Sequence, residues 1–344
     1  MTATTITVAG APSIPGLSFR AAGPGDWDAV ARVLNQARVV DSIDEVRSGE
    51  DLAAEYGPLD AFEPSRDLLL AELDGEIVAF GFGYRVVRGG ALVGEMWGGL
   101  RPDLRGRGIG SAIWRANRDR LAAEMASDPR PGARELRSYA DDHERADIAL
   151  LVAHGFVPIR FGFEMRRFLT GSLPAVSLPA GIEMRMVTED QHRAIFEADD
   201  EAFQDHWGHR PADEGDFVAR FQGPLVDTSL WCVAWDGDQV AGVVMNAIYH
   251  DENEQLGVRR GWLDRVSVRR PWRGRGVAKA LCAASLRVLR ERGIDEAWLG
   301  VDGSNPTGAL GLYEGLGFQV ARRWQAYGRP LDGPAPDGWR PAAV

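Results

Sequence analysis

The 344-residue chain has only two cysteines, Cys232 and Cys282, and a single lysine, Lys279. Two thiols without a Cys-x-x-Cys pair exclude a disulfide framework and a thiolate zinc site. One lysine leaves almost no candidate for Schiff-base chemistry. No run of about 18 apolar residues occurs, so no transmembrane helix is expected. The opening Met1-Thr-Ala-Thr-Thr-Ile-Thr-Val8 lacks the cationic flank and apolar core of a secretory signal. A basic surplus is also missing: the formal charge is −11 and the pI about 5.1. Proteins that neutralise nucleic-acid phosphates carry the opposite balance. The expectation is a cytoplasmic protein with no nucleic-acid, membrane or metal partner. Its acidic balance is compatible with small cationic partners such as amines.

What is present is duplication. Arg101-Pro-Asp-Leu-Arg-Gly-Arg-Gly-Ile-Gly-Ser111 and Arg269-Arg-Pro-Trp-Arg-Gly-Arg-Gly-Val-Ala-Lys279 share an Arg-Gly-Arg-Gly core. Each is followed downstream by a Gly-Phe pair, Gly155-Phe156 and Gly317-Phe318. The repeat is far longer than a solenoid period of roughly 20–50 residues, so it marks two related domains. Thr170-Gly-Ser-Leu-Pro-Ala-Val-Ser-Leu-Pro179 is uncharged and reads as a linker. The domains expected are residues 13–170 and 180–331, with a loose tail at 332–344 and a loose first dozen residues.

Each half has the same coarse order. Helices are expected at residues 26–37 and 189–203, and strands at 68–73, 75–85, 230–235 and 239–249. Asp74-Gly75 and Asp236-Gly237 are hairpin signals. A strand then enters each Gly-rich loop and an amphipathic helix leaves it. In the second half Val277, Leu281, Ala284 and Val288 form a helical stripe. Both halves are α/β. Glycines between a strand and a helix allow a tight turn and leave amide N–H groups uncovered at the positive end of the helix dipole. That is an anion cradle suited to a pyrophosphate, with arginines at its rim. It is neither a Walker A loop nor a dinucleotide fingerprint.

Arg105-x-x-Gly108-x-Gly110 and Arg273-x-x-Gly276-x-Ala278, each after a strand and before a helix, resemble the loop of the GNAT superfamily of acyl-CoA-dependent N-acetyltransferases. The resemblance covers both halves. It implies two tandem GNAT-like domains, each a twisted mixed sheet flanked by helices and splayed where CoA inserts. It also implies acetyl-CoA as co-substrate. The residues so assigned to the cofactor are Val266, Val268, Arg273, Gly274, Arg275, Gly276, Val277, Ala278, Lys279 and Asn305 in the second half. In the first half they are Leu100, Arg105, Gly106, Arg107, Gly108, Ile109, Gly110 and Ser111.

Ala309, Leu312, Tyr313 and Leu316 recur at helical spacing, so Tyr313 faces inward. Residues 309–318 match the family's Ala-x-x-Leu-Tyr-x-x-x-Gly-Phe pattern, while Asn305 stands one residue farther from Ala309 than that pattern. The resemblance gives Tyr313 the task of protonating the departing CoA thiolate. Aligned on the Gly-Phe pairs, Tyr313 corresponds to Leu151 and Asn305 to His143. Leucine has no proton to give, so the first half is expected to be non-catalytic, either binding acyl-CoA or acting as a scaffold. Because the tandem domains would mimic a GNAT dimer, a monomer is expected.

Acyl transfer needs a free amine. Deprotonating a primary amine with a pKa near about 10.4 costs roughly 4–5 kcal/mol at neutral pH. Asp264, which alternation places beside Val266 and Val268, is the candidate base; a surface or salt-bridged Asp beside Arg265 is the plainer alternative. An N–H of the same strand would serve the oxyanion. Asp205, His206 and Trp207 are candidates for gripping a small-molecule or peptide amine. The acidic run Glu197-Ala-Asp-Asp-Glu201 reads as a solvated helix face. Catalysis in the second half is the leading reading, and a non-catalytic acyl-CoA-binding or sensing protein is the alternative.

Overall fold

The computed structural model describes residues 5–57, 59, 62–207, 209–223, 226–304, 308–332 and 339. The chain divides into two units, and neither coincides with a linear half. One comprises Met1–Phe161 and Trp324–Val344; the other is Gly162–Arg323.

The first unit runs β1 (Leu17–Ala21), α1 (Trp27–Val40), α2 (Gly49–Tyr56), α3 (Pro64–Asp67), β2 (Leu68–Leu73), β3 (Glu76–Arg88) and β4 (Ala91–Leu100). It continues with α4 (Ile109–Ala126), β5 (Arg134–Asp141), α5 (Arg145–Ala153) and the beginning of β6 (Val157–Phe168). Strands β1 to β4 are antiparallel neighbours in order, and β5 joins β4 in parallel. Asp74 and Gly75 have φ of 53° and 85°, the double positive φ of a tight hairpin. Helix α4 covers one face through Ile109, Ala112 and Ile113. The opposite face carries Phe80, Phe82 and Trp97, packed with α1 and with Tyr56 of α2.

The second unit runs β7 (Ile182–Arg185), α6 (His192–Phe203), α7 (Glu214–Gln222), β8 (Cys232–Asp236), β9 (Gln239–Ala247), α8 (His250–Leu256) and β10 (Arg260–Val268). Then follow α9 (Val277–Glu291), β11 (Glu296–Asp302), α10 (Ala309–Glu314) and β12 (Gln319–Pro330). Strands β7 to β10 are antiparallel neighbours in order, and β11 joins β10 in parallel. The stripe expected on α9 is its buried face: Val277, Leu281 and Ala284 sit in the core with Tyr313, and Val288 packs at the edge.

The units depart from the expected boundaries at their sixth strands. Residues 162–168 of β6 pair antiparallel with β11 and complete the second sheet, while residues 324–330 of β12 pair antiparallel with β5 and complete the first. Both strands meet chemically similar antiparallel edges, so local pattern cannot tell which edge each takes. The linker residues Leu173, Val176 and Leu178 pack on the second core. At the N-terminus, the Ile6 amide bonds the Phe19 carbonyl at 2.7 Å and Val8 is buried, so these residues are not loose. In the tail, the Trp339 ring lies 2.6 Å from where a Cβ of Gly328 would stand. The acidic run is not simply solvated either: Asp199 is fully buried, accepting from Arg220 at 2.9 Å and Arg265 at 2.8 Å.

Candidate active sites in the two units

Both Gly-rich loops have the backbone of an anion cradle. Gly106, Gly108, Gly274 and Gly276 have φ of 75°, 85°, 71° and 89°, which only glycine adopts without strain. Gly108 and Gly276 are the N-cap residues of α4 and α9, and among the described residues no side chain caps either helix. The first-turn amides therefore remain available to an anion. A Cβ at Gly106, Gly274 or Gly276 would meet nothing within 4 Å. The cradles thus fit the pyrophosphate of a CoA thioester. Ile109 and Val277 are buried and contribute amides only, anchoring each helix to its core. Gly110, Ser111 and Ala278 follow in the same first turns, half-buried, while Arg107, Arg275 and Lys279 are exposed at the rim.

The loop arginines Arg105 and Arg273 do not point outward as expected. Arg105 bonds both oxygens of Asp41 at 2.8 and 2.6 Å. Arg273 bonds Asp205 at 2.6 Å and the carbonyls of Val268 and Ala202, each at 2.9 Å. They brace the loop against the preceding helix, leaving phosphate recognition to the amides and the rim cations. Asp205 also accepts from Arg270, and the two guanidiniums hold its carboxyl far below the usual carboxylate range. It is committed to the loop rather than to an acceptor. Asp41 and Asp205 are thus equivalent clamps in the two units, a correspondence not visible along the sequence.

Beyond each loop the sheet forks. Parallel pairing of β4 with β5 ends at Glu95 and Arg137, and that of β10 with β11 ends at Trp262 and Trp298. Past these pairs lie Met96 to Leu100 in one unit and Leu263 to Val268 in the other. Leu100, Val266 and Val268 are partly buried against their unit's core, as residues lining a cleft would be.

Tyr313 packs in one cluster with Val266, Val268 and Cys282 and is 6% exposed. Its hydroxyl has no hydrogen-bond partner among the described residues. Burial pushes the phenol well above its usual range, so it holds its proton at neutral pH and is a donor. In the first unit Leu151 is buried with Trp114, which meets Phe156 edge-on at 5.5 Å. Counting from Gly108 and Gly276, Trp114 corresponds to Cys282. A large residue on the helix thus accompanies leucine, and a small one accompanies tyrosine. Asn305 lies outside the described residues.

The alternation proposed for Asp264 does not carry through. A β-bulge between Leu263 and Arg265 inserts Asp264 as an extra residue opposite β9, which breaks the two-residue period. Asp264 is exposed and accepts from the Tyr249 hydroxyl at 2.8 Å. Arg265 is paired with Asp199, not with Asp264, and lies 3.9 Å over the Phe203 ring. The His206 ring stands 4.2 Å from Phe203. Burial, and then Arg265, lower its pKa, so the imidazole is neutral and able to accept a proton. Trp207 is half-buried beside it.

The first unit contains a cavity of about 730 Å³. It runs from Gly106, Gly108 and Gly110 past the fork to Tyr84, Arg88 and Glu95. Sequence reasoning gives Glu95 no place at the fork; only the β3–β4 register, which sets Glu95 opposite Tyr84, reveals it. Among the described residues no helix is long and apolar enough to cross a membrane.

Residues 192–318 match the family model described as Acetyltransferase (GNAT) family. The chain is 31% identical to the mycothiol acetyltransferase of Thermobispora bispora over 302 residues, covering 88% of this chain and 94% of that one. It is 27% identical to the mycothiol acetyltransferase of Kytococcus sedentarius, covering 90% and 95%. Among solved structures it resembles a GCN5-related N-acetyltransferase from Sphaerobacter thermophilus, with TM-score 0.71, 25% identity and coverage of 95% and 99%. A tandem GNAT protein from the clavulanic acid biosynthesis pathway shares the fold, with TM-score 0.65, 18% identity and coverage of 93% and 100%. The chain belongs to the GNAT family of N-acetyltransferases.

Proposed function

We propose that the chain transfers the acetyl group of acetyl-CoA to a primary amine of a small molecule or peptide by direct attack, with its principal reaction centre in the second unit. Tyr313 carries this reading: a buried phenol with no hydrogen-bond partner among the described residues, clustered with the β10 residues past the fork. Leucine occupies its place in the first unit. The uncapped amides at the start of α9 hold the pyrophosphate, and Val266 and Val268 flank the pantetheine. Tyr313 hands its proton to the sulfur as the C–S bond breaks. The amine proton goes to the neutral His206 or, despite the bulge that turns it to the surface, to Asp264 with its Tyr249 hydrogen bond. The family match over residues 192–318 supports the second unit as the reaction centre. The name shared by the relatives makes a mycothiol-type amine the first acceptor to test.

The test is incubation with acetyl-CoA and an amine panel that includes such an acceptor, following free thiol and product mass. Amine-dependent thiol release with an acetylated amine is the expected result. Acetyl-CoA binding without amine-dependent release would establish the acyl-CoA-binding or sensing alternative.

A further inference from the structure

The first unit lacks a tyrosine at the Leu151 position, yet its cavity is built for more than holding CoA. Glu95 closes the paired part of β4 at the fork and is 5% exposed. Its Oε1 accepts from Arg88 Nε at 2.6 Å. Its Oε2 has no partner among the described residues and is not among their sealed, unsatisfied atoms. A buried carboxylate with one oxygen fixed and the other open to a cavity costs desolvation energy, which a cationic or proton-donating ligand offsets. Tyr84 faces Glu95 across the β3–β4 register. Burial and the Glu95 charge push its phenol up to about 12, so it is a donor at neutral pH. At the other wall stands Trp114, 7% exposed, whose indole N–H is sealed within the packing and has no hydrogen-bond partner among the described residues.

We propose that this cavity is a second acyl-transfer centre, taking a primary amine at Glu95 and Tyr84 beside its own acyl-CoA cleft. The amine nitrogen forms a bond to the thioester carbon, and the C–S bond breaks. Glu95 Oε2 takes the nitrogen's proton and releases it to solvent. The sulfur leaves as a thiolate, since Leu151 offers it no proton. Leu151 therefore makes this centre slower than the tyrosine-equipped one without abolishing its chemistry. The proposal shares the acetyl-CoA chemistry of the functional reading but rests on different residues.

The two are separated by working in full-length Tyr313→Phe protein. The readout is thiol release from acetyl-CoA with a panel of a free amino acid, an aminoglycoside and a peptide. The expected result is a residual amine-dependent rate that falls at least tenfold when Glu95→Gln is added. Because Glu95→Gln disturbs a buried ion pair, Gly110→Leu is a second, independent probe. A Cβ at Gly110 comes no closer than 3.9 Å to its nearest neighbours, Leu150 and Leu100, so a side chain can start there, and the leucine filling the cleft should give the same fall. Residual release insensitive to both changes overturns the proposal. So does absence of amine-dependent release from Tyr313→Phe protein that still binds acetyl-CoA in both units. Unchanged turnover in Tyr313→Phe alone would instead remove the second-unit role of Tyr313, and the Glu95 and Gly110 variants would still decide the first unit.

Discussion

At the fork of the first unit stand Glu95 and Arg137, with Tyr84 and Arg88 from the next strand. At the fork of the second stand Trp262 and Trp298, 5.7 Å apart, with Arg260 4.3 Å over Trp298. Farther along, the first unit has Leu151 against Trp114 and the second Tyr313 against Cys282. The loops, the aspartate clamps and the parallel pairing of the fourth and fifth strands are alike in both. Duplication has therefore kept the Gly-rich loop and its aspartate clamp twice and let the far ends of the two forks diverge. On the proposed reading, one end offers the acceptor the Glu95 carboxylate and the Tyr84 phenol and has leucine where the leaving group departs. On the same reading, the other has the Trp262–Trp298 pair at its fork and the protonated Tyr313 phenol for the leaving group.

That comparison can be broken most severely at the second unit's support. Asp199 is fully buried between Arg220 and Arg265. Removing it leaves two guanidiniums unpaired, so Asp199→Ala should destabilise by about 3–5 kcal/mol. Chemical denaturation should show a first-melting phase shifted strongly to lower denaturant, and an unchanged midpoint would mean the pair is not part of the frame. A smaller effect follows from Gly110→Leu: acetyl-CoA titration should fall from two sites per chain to one. Two intact sites would show that the first cleft is not where CoA lies.

The smallest effect concerns pH. Burial, then Asp147, pushes Glu144 up to about 7. Burial, helped by Asp41 and opposed by Arg105, pushes Asp147 up to about 6. Both line the first cavity. Below these values they are neutral and spare the CoA phosphates any repulsion. Above them they are anionic. Acetyl-CoA affinity of the first unit should drop several-fold from about pH 5 to about pH 8, and Glu144→Gln should flatten the slope. By the same sign, their contribution to folding stability is full at low pH and is lost as pH rises through 6 to 7. In the second unit the counterparts are Pro306 and Ala309, so its affinity should lack this dependence.

Much of this was legible locally. The repeated Arg-Gly-Arg-Gly, the Asp-Gly hairpins and the inward position of Tyr313 each follow from a few neighbouring residues and a known backbone period. What escaped depends on partners far along the chain. Asp41 meets Arg105 and Asp205 meets Arg273 only after folding, and no spacing rule links them. The bulge at Asp264 adds one residue and so defeats an alternation argument that assumes none. The contrast of Glu95 with Trp262 needs strand register, which is set by packing across the sheet. The sixth strands escaped for the same reason, since two similar edges offer no local signal for choosing.

The most direct test of the central claim is the turnover of Tyr313→Phe protein on the acceptor that the native protein uses best, measured beside its acetyl-CoA affinity. Loss of the proton donor should lower kcat at least about a hundredfold while affinity stays within about threefold, since the loop amides are untouched. A kcat within threefold of the native protein would contradict the account, because the phenol would then take no part in releasing the thiol.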